Sequence, residues 1–267
     1  MTHPLDAYDL SGRVAVVTGA ASGIGAGACD FLAAAGAVIV AGDIDEAGLA
    51  KTVERVRDAG GTASALATDV TRRAAVDALV AQAVSLHGRL DVLCNVAGAM
   101  FPGQVEDLDD ATIERGLDLN LKSVIYGCQA AVRAMKPRRS GSIINVSSGA
   151  IDKAVPGIGL YALTKAAVTM LTMTLATEVG PFGIRVNAIA PGATLTPFTT
   201  WRIHREDGSV DTTEYEAFLA RMREMSPLGS VGEVSDQAHL ILYLASDASR
   251  WVTGNVHRAN GGQTMVW

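Results

Sequence analysis

Residues 18–25 read TGAASGIG, and the use of this stretch decides the fold. It follows a short β-branched run, RVAVVT (13–18), and opens a helical pattern over 24–35. Glycines at a strand-to-helix turn let backbone approach a ligand closely, and the helix beyond offers free amides and its positive dipole end to an anion. Such a turn also serves plain tight packing, so its surroundings carry the argument. A second run, AVIVAG (37–42), leads to Asp43, about the 20-residue spacing at which an acid meets an adenosine ribose. Asp45 and Glu46 follow, no Arg is close by, and Ser22 in the turn is uncharged. A carboxylate accepts from a ribose 2′-hydroxyl and repels a 2′-phosphate, so NAD is expected over NADP. The competing use of Asp43 is to cap the next helix.

Outward from this turn the alternation continues. TASALAT (62–68), DVLCN (91–95), SIINVS (142–147) and GIRVNAI (183–189) are further strand candidates, nearly continuous in apolar character, as expected of a parallel sheet covered on both faces. Helical patterns lie near 46–59, 72–87, 109–136 and 158–179, many closed by a Gly or Pro such as Gly36, Gly60, Gly88, Pro137 or Gly180. This βαβ rhythm predicts a single doubly wound α/β domain over 1–267, with no linker or repeat. Residues 194–225 break it: Phe198, Trp201 and Phe218 mix with the charged run HREDGSVD, which reads as a substrate lid in loop form.

The chain is 267 residues long, 49% hydrophobic, with a formal net charge of −6. Acidity without a dense Lys/Arg block argues against nucleic acid and anionic membrane, and MKPRR (135–139) reads as the solvated end of a helix. No apolar run is expected to reach the roughly 18 residues of a membrane span. Asp6 and Asp9 stand where a signal peptide would carry positive charge, so a cytoplasmic location is expected. Cys29, Cys94 and Cys128 are odd in number and set in apolar segments, and the five His are scattered, so neither disulfides nor a metal site is expected.

GLYALTKAAV (159–168) places Tyr161 and Lys165 four apart, on one face of a helix. Alone, the pair reads as an amphipathic tyrosine beside a snorkelling lysine. The ordered set of motifs reads otherwise: TGAASGIG, Asp69 and Val70, NVAG (95–98), Asn120, INVSS (144–148), Tyr161 with Lys165, and PGATLT (191–196). From Gly12 to about Gly262 the chain resembles the classical short-chain dehydrogenases/reductases. NVAG stands where a double Asn is commoner, and Asn260 where relatives often carry Asp, a change expected to touch subunit packing.

The resemblance implies a Rossmann-type fold of about seven strands with helices on both faces. It makes Asn120, Ser148, Tyr161 and Lys165 the catalytic set: Tyr161 as general acid/base, Ser148 on the same oxygen, Lys165 between phenol and ribose, and Asn120 holding a water that leads to solvent. Cofactor contacts fall on Gly19, Ser22, Gly23, Ile24 and Gly25, on Asp43 and Ile44, on Asp69 and Val70, on Asn95, Ala97 and Gly98, and on Pro191, Gly192, Thr194 and Thr196, besides Tyr161 and Lys165. Substrate is expected against Ser148, Tyr161, Phe198 and Trp201. The chemistry supports the pairing, because a phenol with a pKa near 10 is a poor base until a neighbouring ammonium favours its anion. The expected activity is NAD-dependent interconversion of a secondary alcohol and its ketone, by a homotetramer. Two alternatives are a 3-oxoacyl-[acyl-carrier-protein] reductase, which would favour NADP and a basic docking patch, and a non-catalytic dinucleotide-binding regulator, which would have a broken tetrad.

Overall fold

The structure, a computed structural model, describes residues 3–200 and 211–266. Among them, seven strands form one parallel sheet: β1 (Val14–Thr18), β2 (Val38–Asp43), β3 (Thr62–Ala67), β4 (Val92–Asn95), β5 (Gly141–Val146), β6 (Ile184–Ile189) and β7 (Val256–His257), in the order β3-β2-β1-β4-β5-β6-β7. The order reverses between β1 and β4, and that switch point opens a crevice at the carboxyl ends of the strands. The helices are α1 (Gly23–Ala34), α2 (Glu46–Asp58), α3 (Arg73–His87), α4 (Asp110–Leu117), α5 (Ser123–Met135), α6 (Gly159–Val179), α7 (Pro197–Thr200), α8 (Thr212–Glu224) and α9 (Val234–Ala245).

Successive strand side chains point to opposite faces, so each strand feeds two cores. Ala15, Val17, Ile39 and Ile144 pack with Cys29 and Leu32 of α1, Leu49 of α2 and Ile241 of α9. Val14, Val16, Val40 and Ile143 pack with Leu79 of α3, Cys128 of α5 and Val168 of α6. All three cysteines are buried and free, and burial pushes each thiol up.

Four expectations need correction. β3 alternates between buried and open positions, because it is the edge strand. The helix expected over 109–136 is interrupted by a π-turn at Asp118–Lys122, a wide turn that carries Asn120. The expected loop at 194–225 contains α7 and α8, with Leu219 and Met222 of α8 buried; residues 201–210, and with them Trp201, lie outside the described residues. Finally, Gly159–Phe182 is one helical stretch long and apolar enough to cross a membrane. In this fold it lies on the sheet, burying Leu160, Thr164, Val168, Thr172 and Ala176 at helical spacing.

Candidate active site

β1 delivers the chain into the glycine turn, and the geometry there explains the residue choice. Gly19 has φ +68°, and a Cβ on it would lie 2.8 Å from the Ala97 amide nitrogen; a Cβ on Gly25 would lie 2.0 Å from the Gly19 carbonyl oxygen. Larger residues would push the turn apart. Ser22 is the N-cap of α1, yet its hydroxyl makes no capping bond. The first intrahelical bond here runs from the Ala26 amide to the Ser22 carbonyl, leaving the amides of Gly23, Ile24 and Gly25 without a helical partner. Uncapped donors beside a cavity fit an anion such as a pyrophosphate.

The Asp43 carboxylate accepts the Ala21 amide at 2.9 Å and the Asp45 amide at 3.0 Å, which fixes it at the end of β2 beside the turn. Asp45, not Asp43, caps α2, accepting the Gly48 amide at 3.1 Å. A carboxylate has about four acceptor positions, so Asp43 retains capacity for ribose hydroxyls. Across the switch point lie the β5 and β6 ends. β2 and β5 are three strand spacings apart, about 14 Å, a span suited to an extended dinucleotide.

A cavity of about 490 Å³ joins these parts. Gly19, Ser22, Gly23, Ile24, Gly25, Asp43, Ile44, Asp69 and Val70 line it from one side; Ala97, Gly98, Ser148, Tyr161, Lys165, Pro191, Gly192, Thr194, Thr196 and Phe198 line it from the other. Lys165 is the single cation among the described lining residues. Asp69 is oriented by Thr71, whose amide and hydroxyl both donate to it at 3.0 and 2.6 Å.

Tyr161 and Lys165 are both buried on α6, with the ammonium 5.7 Å from the ring centroid. Lys165 donates to the Val146 carbonyl at 2.8 Å, and burial draws its pKa down from 10.5 to about 8. Burial pushes the Tyr161 phenol up, and the nearby Ser148 hydroxyl works in the opposite direction. In the protein alone, burial sets the direction of the phenol's shift. Phe198 walls the phenol, ring centroids 5.8 Å apart. Ser147 is turned away, its hydroxyl bonded to the Lys165 carbonyl and to Thr169.

Two residues expected at the site face elsewhere. Asn120 is fully buried: its amide nitrogen donates to the Ala99 carbonyl and its oxygen accepts the Ala99 amide, each at 2.9 Å. A Cβ on Gly98 would meet Asn120 Oδ1 at 2.9 Å and Lys165 Nζ at 3.4 Å, so Asn120 backs the strip of chain that faces Lys165. Asn95 points its amide to Asn145 at 2.8 Å, and Asn145 in turn donates to Thr172, a buried polar row tying β4, β5 and α6. The Asn95–Asn145 partnership leaves no local signal in the sequence; the two stand opposite in the ladder. Asn260, expected at a subunit contact, packs against Gly192: a Cβ there would meet Asn260 Cβ at 2.8 Å.

The family model described as "Enoyl-(Acyl carrier protein) reductase" matches residues 19–264. The chain is 38% identical over 259 residues to 3beta-hydroxysteroid dehydrogenase 1 of Eggerthella lenta, covering 96% of this chain and 95% of that protein. It is 36% identical over 253 residues to 3-oxoacyl-[acyl-carrier-protein] reductase FabG of Thermotoga maritima, covering 95% and 98%. A solved 7 alpha-hydroxysteroid dehydrogenase, complexed with NADH and 7-oxo glycochenodeoxycholic acid, matches at TM-score 0.89 and 32% identity over 98% of each chain. With this fold, this ordered set of motifs and these relatives, the chain belongs to the classical short-chain dehydrogenase/reductase family of oxidoreductases.

Proposed function

We propose that this oxidoreductase is an NAD-dependent dehydrogenase of secondary alcohols, and a reductase of the matching ketones. One observation carries the reading: Ser148, Tyr161 and Lys165 line one cavity with Asp43 and the glycine turn, with Ser148 close enough to the phenol to draw its pKa down. Two hydroxyl side chains lining the same cavity suit a single substrate oxygen, which favours a carbonyl or carbinol over an isolated C=C bond. The bound nicotinamide would supply the hydride acceptor or donor at C4 and, when oxidised, a positive charge near the phenol.

The chain's own residues do the rest. Tyr161 takes the alcohol proton, or returns it in the reductive direction. Ser148 donates to the same oxygen as charge develops on it. Lys165 holds the ribose and lends positive charge to the phenolate. Asn120, tied by both side-chain groups to Ala99, backs the chain that faces Lys165, and a water held at this wide turn would lead from Lys165 to solvent. The uncapped α1 amides hold the pyrophosphate, and Asp43 the adenosine ribose. A panel of secondary alcohols and ketones, assayed with NAD and with NADP by absorbance of the reduced cofactor, tests the reading. Turnover of at least one alcohol–ketone pair is expected, and none with either cofactor would refute it.

Asp43 is the expected source of cofactor choice. Replacing it by Ser together with Ile44→Arg removes the carboxylate and adds a guanidinium beside it, and kcat/KM should move from NAD toward NADP. The KM for NAD should rise about tenfold to a hundredfold, because Asp43 also accepts two backbone amides that shape the glycine turn. A parent enzyme that already uses NADP better than NAD contradicts the assignment.

Assembly into a homotetramer accords with the outer face of α6, where Leu163 and Met170 are 58% and 62% exposed and Met173 lies on the same stripe. Sedimentation velocity at micromolar concentration should give a tetramer mass, and Met170→Glu a smaller one. A monomer mass for the parent would refute the assembly.

A further inference from the structure

Ser148 leaves β5 and at once enters a short turn, Gly149–Ile151, which it caps by accepting the Ala150 amide at 3.2 Å. Asp152 closes the turn, its amide donating to the Gly149 carbonyl at 3.1 Å. These bonds are internal. The turn packs directly on α6, and two further links anchor it from the other side: the Gly149 amide donates to the Pro191 carbonyl at 2.9 Å, and the Asp152 carboxylate reaches the far end of the chain.

There Arg258, directly after β7, meets it as a fork, Nε to Oδ2 at 2.7 Å and Nη2 to Oδ1 at 2.9 Å. The Asp152 side chain is 6% exposed, so water screens the pair little, and the guanidinium holds the carboxyl below its ordinary range. The third Arg258 nitrogen, Nη1, donates to the Val256 carbonyl at 3.0 Å, binding the fork to β7 itself. Thr264 donates to the same Asp152 oxygen at 3.3 Å and is held by Asn260 Nδ2 at 2.9 Å. A Cβ on Gly149 would lie 3.8 Å from Thr264 Oγ1, so the tail touches the turn at both ends. A two-point fork fixes orientation as well as distance.

We propose that Asp152 and Arg258 are positioning residues: their ion pair, closed by Thr264, holds the turn that presents the Ser148 hydroxyl to the Tyr161 phenol. The C-terminal tail thus acts on the chemistry from outside the cavity. This rests on the reading that Ser148 works with Tyr161.

The test is a double-mutant cycle in the full-length enzyme, with kcat, the KM for NAD and the unfolding midpoint measured on each member. Asp152→Asn keeps the size of the side chain and removes its charge. In the otherwise unaltered enzyme it should lower kcat on the order of tenfold to a hundredfold, the cost of a misplaced group near the reacting atoms, with the KM for NAD unchanged. In a Ser148→Ala background the same substitution should add almost nothing, because the group it positions is gone. Arg258→Lys keeps the charge and loses the fork, and should fall between parent and Asp152→Asn. It also serves if Asp152→Asn does not fold. Unaltered kcat in Asp152→Asn, or an equal loss in both backgrounds, overturns the proposal. A fully active Ser148→Ala would instead remove the reading beneath it, and the proposal with it.

Discussion

Tyr161→Phe should lower turnover by about 10²- to 10⁴-fold, the range in which a positioned acid/base contributes. The substitution removes one oxygen and leaves the ring against Phe198. The NAD-side contacts at the glycine turn and Asp43 are far along the cavity, so the KM for NAD should barely move. Stability should change by about 1 kcal/mol at most, the worth of a single hydrogen bond, because the ring packing is kept and Ser148 still accepts the Ala150 amide. Steady-state kinetics and urea unfolding measure both. Retention of most activity would exclude Tyr161 as the proton carrier.

Lys165→Met should abolish most activity, by about 10²-fold or more, and yet leave the fold at least as stable at pH 7. The reason is the buried ammonium. Its pKa lies at about 8 in the folded chain against 10.5 ordinarily, which corresponds to about 3 kcal/mol against the charged form. The sign follows from proton counting. Between about pH 8 and 10.5 the unfolded chain binds more protons at this group than the folded chain, so stability gains there as pH rises; below about 8 the full cost is present. Met removes that cost and sacrifices one hydrogen bond to the Val146 carbonyl, about 1 kcal/mol. Urea unfolding should therefore favour the variant at pH 7, with the difference shrinking toward pH 10. A strongly destabilised variant at pH 7 would show that the ammonium is a net prop of the fold.

The sheet was legible in the sequence because each central strand is a short apolar run ended by a glycine turn or a polar residue, as RVAVVT runs into TGAASGIG. β7 was not, because Val256–His257 is two residues long and carries no periodicity. The interruption between α4 and α5 has no local signature: the π-turn carries Asn120, whose partners are both backbone groups of Ala99, 21 residues away. Sequence order also placed Asn95 and Asn120 beside the cofactor and phenol, while their side chains serve the scaffold one layer behind. Asp152 and Arg258 stand 106 residues apart. Each looks like an ordinary surface charge until β5 and β7 are set on either side of β6. What local pattern supplied was the cradle and the reacting pair; what it withheld were the side chains that hold them in place.

The central claim is direct hydride transfer between a secondary alcohol and NAD, with Tyr161 carrying the proton. Its most direct test uses secondary alcohols deuterated at the carbinol carbon, incubated with the enzyme and NAD, followed by NMR of the nicotinamide C4 position. Deuterium is expected at C4 of the reduced cofactor, with none lost to water, and no label transfer above background in Tyr161→Phe. Reduced cofactor without the label, or label transfer undiminished in Tyr161→Phe, would contradict it.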